Sequence, residues 1–422
     1  MASITRKEES KPWQCILLYK QTMLLNEDVF ELESNRIQHE STIEESQLHT
    51  YRNRIYDYEQ QLTNGKNWEY YKKIVNPYEL VYTQRKYENF PESICFLKPL
   101  SRSYFKMIEM LDLLDFFQRF PEELIRTAHV CEGPGGFIEA LFDEASKKKR
   151  KIQTSMAMTL KSKQNNIPGW KRATHFLQKN KNVHILFGED DTGDIMKPEN
   201  QQHFIDHAVQ SDGGGKMHIF TADGGFDFSY DYMKQEQMIF PLLLASTKIG
   251  FEVMRKGGIF ILKLFDFYHK STMDLLYFLS CHFQEWSMYK PGMSRPCNPE
   301  HYFIGKGFTG CSDKVFDVMR LWCSMIHNHQ PLESLFQMDY SEEFKGIMNG
   351  LREHSFKLQT GYLEKVFHMI EQKDEELIQS YLKKNEKTSY EWCIRFNVPI
   401  YVQRHRLIEE LHSDLLVSDP LE

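Results

Sequence analysis

No apolar run in the chain approaches the roughly 18 residues that a membrane-spanning helix needs. Met1–Trp13 is polar and charged and lacks the apolar stretch of a secretory signal, so a soluble intracellular protein is expected. The eight cysteines, at positions 15, 95, 131, 281, 297, 311, 323 and 393, form no C-x-x-C pair and no zinc-ligand spacing. They indicate neither a disulfide framework nor a structural metal, and reduced thiols are expected. Positive charge is in deficit: 52 Lys plus Arg against 59 Asp plus Glu leave a formal net charge of −7. That excludes a generic polycation coating nucleic acid, although not a local basic face. With 41% apolar residues the chain has an ordinary globular make-up, and 422 residues suggest two or three domains.

Three zones differ in composition. Residues 1–95 start with an acidic stretch, Asn26 to Glu45, and continue into a tyrosine-rich segment that carries Arg52, Arg54, Lys72, Lys73, Arg85 and Lys86. Such a mixture either stacks bases and holds phosphates or forms a mostly helical cap whose tyrosines pack on the centre of the molecule. Residues 311–422 show charged faces and helical apolar spacing, as at Leu363, Val366, Phe367 and Ile370, and read as an appended helical region.

The middle, residues 96–310, alternates short apolar runs with helical patterns. The runs are Ala128 to Cys131, Ser155 to Met158, Val183 to Phe187, His218 to Ala222, Gly258 to Leu264, Gln284 to Tyr289 and His301 to Gly305. This spacing predicts an α/β fold, a parallel sheet covered on both faces, with ligands outside the carboxyl ends of the strands at the switch point. A helix predicted over 232–255 contains Pro241 and is expected to kink or split there.

The residues suited to chemistry follow those strands. HVCEGPGGFIEAL, residues 129–141, is a glycine-rich strand-to-helix turn. It has neither the G-x-G-x-x-G spacing nor the terminal Lys-Ser/Thr of a phosphate-cradling loop, so a dinucleotide or NTP site is disfavoured. TADGGFD delivers Asp223 at a strand end, where a simple Asp-Gly turn is the plainer reading. In GGIFILKLF, Lys263 is the lone charge in an apolar strand; it is either paired or reaches water from the strand end. Lys106 lies on the helical face of Met110, Leu113 and Phe117, a place that also suits a boundary lysine. Glu300 precedes the last strand and, if that strand is antiparallel, joins Asp223 and Lys263 at one rim. Lys147, Lys148, Lys149, Arg150 and Lys151 form the strong basic run, either a solvated helix end or a phosphate patch.

Lys106, Asp223, Lys263 and Glu300, in that order, resemble the Lys-Asp-Lys-Glu tetrad of the FtsJ-type ribose 2′-O-methyltransferases. Within that family the chain is similar to the mRNA cap-1 enzymes, through SRSYFKM, VCEGPGGF, AMTLK, GDIMKPEN, TADGGFD, KLFDFY and SRPCNPEHY, and over its whole length it looks like a viral member. The resemblance covers roughly Lys98 to Gly307. It implies a doubly wound Rossmann-like methyltransferase sheet of seven strands, the last antiparallel, and S-adenosylmethionine as cofactor. Cys131, Gly133, Gly135, Gly136, Phe137 and Thr159 then fall at the cofactor, with Asp194 on the adenine side and Asp223 beside the transferable methyl. Lys263 activates the ribose hydroxyl, while Lys106 and Glu300 hold it. The implied partners are capped mRNA and other viral capping or transcription proteins, with no membrane, in host cytoplasmic viral factories or packaged in the virion.

Methyl transfer needs the oxygen held in line with the sulfonium methyl. A lysine near its ordinary pKa of about 10.4 must be lowered to accept a proton near neutrality. The tetrad sums to zero charge, so a sulfonium favours a neutral Lys263: the lysine is expected to be protonated without cofactor and neutral once cofactor and RNA are bound. Basic residues Lys147 to Lys151, Lys161, Lys163, Lys171 and Arg172 are expected near the site to track phosphates, with Arg295 as a phosphate or cap contact. Two departures oppose the resemblance. His129 stands where the cap enzymes carry an acidic residue, and Glu132 where they carry a small one. MAMTLK also lacks the carboxylate that many methyltransferases place on the cofactor ribose. The rival reading is therefore a catalytically impaired RNA-binding or scaffold subunit.

Overall fold

The computed structural model describes residues 18–22, 27–62, 66–83, 90–121, 124–161, 169–211, 214–225 and 233–401. Cys15, Arg85, Lys86 and Lys163 lie outside the described residues. Tyr19–Lys20 is a two-residue strand, β1. All seven strands expected from the sequence follow, as β2 (Leu124–Val130), β3 (Lys151–Met158), β4 (Val183–Leu186), β5 (Met217–Ala222), β6 (Met254–Leu264), β7 (Phe283–Tyr289) and β8 (His301–Phe308). They build one sheet in the order β1-β7-β8-β6-β5-β2-β3-β4. The five strands β4, β3, β2, β5 and β6 are parallel, and β8 runs antiparallel to both β6 and β7. β1 adds an eighth, antiparallel edge against β7. Every residue of β5 is buried, as the continuous apolar run of a strand covered on both faces requires.

The helices are α1 (Ile43–Gln61), α2 (Trp68–Ile74), α3 (Ser103–Leu113), α4 (Phe116–Arg119), α5 (Gly136–Lys147), α6 (Thr174–Lys179), α7 (Pro198–Gln210), α8 (Gln235–Val253), α9 (Lys270–Cys281), α10 (Asp313–His327), α11 (Glu342–Gln372) and α12 (Glu375–Arg395). One sheet face packs on α7, α8, α9, α10 and the start of α11 through Phe204, Leu243, Phe278, Trp322 and Phe344. The other packs on α2, α3, α5, the end of α11 and α12 through Tyr71, Phe105, Phe137, Phe367 and Trp392. Both flanking zones therefore supply walls of the central cores. Tyr70, Tyr71 and Tyr78 are buried in the second core, so these rings pack rather than stack on bases. Arg54 pairs with Glu364 at 2.7 Å.

Pro241 lies inside α8, which is not split there. The described residues include no helix long and apolar enough to cross a membrane, and their seven cysteines are free thiols. β2 and β5 are neighbours from which the chain departs in opposite directions along the sheet. The crevice of such a sheet opens beyond their carboxyl ends, just past Val130 and Ala222.

Candidate active site

β2 ends at Val130, and Cys131 takes a left-handed backbone at φ +57° that turns the chain toward α5. Gly135, at φ +105°, stands before the first residue of the helix, a conformation glycine adopts without steric cost. Gly136 has a different task. A Cβ there would lie 2.2 Å from Ser103 Oγ and 2.3 Å from Ser101 Oγ, so its bare backbone lets the starts of α3 and α5 meet.

Glu132 sits inside this turn and is 3% exposed. Its Oε1 accepts the Phe137 backbone N–H at 2.7 Å, while its Oε2 is buried without a hydrogen-bond partner. Burial, then the charge of Asp223, raises its carboxyl well above the usual range, against the pull of Lys263 and Lys106. An orphaned carboxylate oxygen of this kind is costly unless it is protonated or meets a cation. His129, the other departure, does not enter the crevice. It is buried in the sheet, its Nδ1 2.8 Å from Thr221 Oγ1 and its Nε2 2.9 Å from Thr127 Oγ1, and burial lowers it to about 3.

The four tetrad residues are brought together, and a fifth side chain joins them. Lys106 on α3 donates to Glu300 Oε1 at 2.6 Å and to Tyr302 OH at 3.3 Å. Tyr302 OH donates to Asp223 Oδ1 at 2.8 Å, and Lys263 Nζ lies 3.1 Å from that oxygen. The register of β6 on β8 sets Lys263 directly opposite Tyr302, and the antiparallel β8 starts at the carboxyl edge, as expected for Glu300. Sequence reading missed Tyr302; its position two residues beyond Glu300, hence on the same strand face, was the available signal.

Burial alone would lower Lys263, but Asp223 and Glu300 outweigh it and hold the amine above the ordinary lysine range. Burial would likewise raise Glu300, yet Lys106 and Lys263 bring it to about 2. A second lysine, Lys290, stands behind Glu300 and donates to the carbonyls of Asn298 at 2.6 Å and Glu300 at 2.9 Å. Burial lowers it to about 8. Behind Lys106, Glu109 accepts from Trp392 Nε1, Tyr289 OH and the backbone N–H groups of Gly292 and Met293.

Lys263, Glu132, Asp194 and Asp223 all act electrostatically on Cys131, so the residues expected at the cofactor share one neighbourhood. Asp194 is half-buried and accepts the Met196 N–H at 2.9 Å. Thr159 is buried, and its carbonyl would be 2.0 Å from a Cβ on Gly193, so that glycine seats the 192–194 turn on the exit of β3.

Two expectations are corrected. Arg295 is not free for a phosphate: Nε and Nη2 each lie 3.0 Å from the Glu79 carboxylate, and Nη1 is 3.3 Å from Glu69. Arg102 and Arg295 in turn hold the buried Glu79 at about 2 against its burial. Nor does the run Lys147, Lys148, Lys149, Arg150, Lys151 lie near the site. α5 carries the chain 12 residues back across the sheet, roughly 18 Å of rise, and Lys151 opens β3 at the amino edge. Lys147 pairs with Glu144, and Lys161 pairs with Asp191. Lys171 and Arg172 follow the exit of β3, on the carboxyl side, and are exposed.

Residues 99–308 match the model of a family described as FtsJ-like methyltransferase. A cap-specific mRNA (nucleoside-2′-O-)-methyltransferase 1 of Dictyostelium discoideum is 30% identical over 274 residues, 61% of this chain and 36% of that protein. The Homo sapiens protein of the same name is 32% identical over 200 residues, 47% of this chain and 23% of that one. The chain thus spans about a third or less of these relatives. A crystal structure of a Plasmodium falciparum ribosomal RNA methyltransferase covers 50% of this chain and 100% of its own, at 17% identity and a TM-score of 0.35.

Proposed function

Residues 99–308 being an FtsJ-like methyltransferase domain, we propose that the protein is an S-adenosylmethionine-dependent RNA ribose 2′-O-methyltransferase acting on the cap-proximal nucleotide of viral mRNA in the host cytoplasm. The observation that carries this reading is the hydrogen-bonded chain Glu300–Lys106–Tyr302–Asp223–Lys263 at the mouth of the crevice.

The pocket fits a cationic methyl donor. Glu132 offers a buried carboxylate oxygen with no partner of its own, and Asp223 adds a second carboxylate beside it. The turn from Cys131 to Phe137, with Thr159 and Asp194, supplies the remaining wall. S-adenosylmethionine brings an electrophilic methyl group and one positive charge to such a pocket. Among the chain's own residues, Lys263 Nζ receives the proton of the ribose 2′-OH, and Lys106 and Glu300 fix where that hydroxyl sits. The amine is charged beforehand, because Asp223 and Glu300 outweigh burial. Added positive charge in the pocket opposes that state and favours the neutral amine that accepts a proton. Phosphates of the bound RNA fall to Lys171 and Arg172 rather than to the distant basic run.

Radiolabelled methyl transfer to capped, cap-methylated and uncapped RNA tests the proposal. Incorporation into the ribose of capped RNA is expected, with Lys263→Ala lowering the rate at least ~100-fold, the scale of general-base catalysis. No incorporation on any RNA by the wild-type protein overturns it. Calorimetric titration with S-adenosylmethionine separates an enzyme from an RNA-binding subunit, which has no need of the donor.

A further inference from the structure

Outside the tetrad, two histidines from distant parts of the chain converge on one carboxylate. His39 belongs to the segment before α1, Glu45 to the first turn of α1, and His269 caps the start of α9, six residues beyond Lys263. His39 Nε2 lies 2.8 Å from Glu45 Oε2, and His269 Nε2 lies 3.8 Å from Glu45 Oε1. The two imidazoles stack with centroids 3.9 Å apart and planes 24° apart. One ligand atom from each residue falls within 4.8 Å of the others.

Glu45 is 4% exposed, and its carboxylate lies against both rings. Two imidazole nitrogens plus a carboxylate oxygen make a donor set suited to Zn²⁺.

We propose that His39, Glu45 and His269 form a binding site for a divalent transition metal ion, Zn²⁺ by its donor set, that clips the segment ahead of α1 to the loop leaving the catalytic strand β6. Each imidazole coordinates through Nε2 and carries its proton on Nδ1. Side-chain exposures of 27% for His39 and 15% for His269 leave room for water as the fourth ligand. The clip is structural. It touches none of the tetrad and does not depend on the methyltransferase reading.

A second histidine pair is a built-in confounder, because His203 and His207 stack one turn apart on α7, an arrangement that also chelates metals. The test therefore uses the full chain carrying His203→Ala and His207→Ala, stripped with chelator and titrated with ZnCl₂ against a chromogenic competitor. One equivalent of tight Zn²⁺ is expected, with a rise in thermal midpoint that saturates at that equivalent. Co²⁺ should give a d–d spectrum without a thiolate charge-transfer band. Glu45→Gln, which keeps a hydrogen-bonding partner for His39, and separately His39→Ala with His269→Ala, should abolish the tight equivalent and the rise. Retention of both in these variants overturns the proposal. So does absence of any tight Zn²⁺ in the parent, or a thiolate signature in the Co²⁺ spectrum.

Discussion

At the scale of single residues, Glu132 sets stability against function. Its Oε1 holds the Phe137 N–H, its Oε2 has no partner, and Asp223 presses on its charge. A group whose folded pKa is raised contributes stability below its unfolded pKa and loses it as pH rises through the folded value. Glu132→Gln retains an acceptor for Phe137 and removes the charge. We expect it to melt higher than the wild type at pH 8, by about 1–3 kcal/mol in stability, the range for relieving a buried uncompensated group. The same change should weaken S-adenosylmethionine more than the uncharged-sulfur product S-adenosylhomocysteine in paired calorimetric titrations. A variant that melts lower, or loses both ligands equally, contradicts this account. Sequence alone exposed Glu132 as out of place for the family it resembles, yet gave no way to see that one oxygen is used and the other is not. His129 drew equal suspicion and is only a satisfied sheet histidine, because its partners Thr221 and Thr127 are hydrogen-bonding side chains of the same two central strands.

At the scale of elements, the strands were legible because parallel strands covered on both faces write near-continuous apolar runs. β6 starts earlier than its apolar run because Arg255 and Lys256 sit at the sheet's edge and carry no apolar signal. β1 pairs only two residues, too few for alternation to register. The basic run was misplaced because closeness in sequence to the glycine turn does not survive a helix that crosses the whole sheet. What no periodicity reports is how α3 is held. Lys106 and Glu109 are one turn apart, and Glu109 gathers donors from β7, the loop after it and α12. That loop leads to Glu300. Glu109→Ala strands several buried donors, so we expect it to lower stability by roughly 3 kcal/mol or more in urea unfolding. It should also cut methyl transfer through misplacement of Lys106 and Glu300, where an ångström is worth about 100-fold. A variant of wild-type stability would show that these four contacts do not tie α3 to the loop.

For the whole molecule, the three compositional zones do not translate into three cores: one long helix, α11, contributes Phe344 to one face of the sheet and Phe367 to the other. The buried ionisable groups of these shared cores fix how stability responds to pH. Burial raises Glu109, Glu139 and Glu236 to about 7. The stability they contribute is present below the ordinary carboxyl range, declines as pH rises from ~4.5 to about 7 and is gone above that. Burial lowers His129 and His301 to about 3. Theirs is present above the ordinary histidine value and declines as pH falls from ~6.5 toward 3. Glu79 and Glu300, held at about 2 by their cations, contribute above ~4.5 and lose that contribution below it. Between ~5 and 6.5 the raised carboxyls and the lowered histidines pull in opposite directions and largely cancel. Below ~4.5 the histidines and the paired carboxylates act together, with nothing opposing them. We therefore expect a thermal midpoint nearly level from pH 5 to 6.5, falling gently from about 6.5 through about 7 and then levelling, and falling steeply below 4.5. Glu236→Gln should flatten the alkaline fall and leave the acid limb in place. A midpoint that climbs steadily from pH 5 to 8 would mean that the raised carboxyls do not govern the alkaline side.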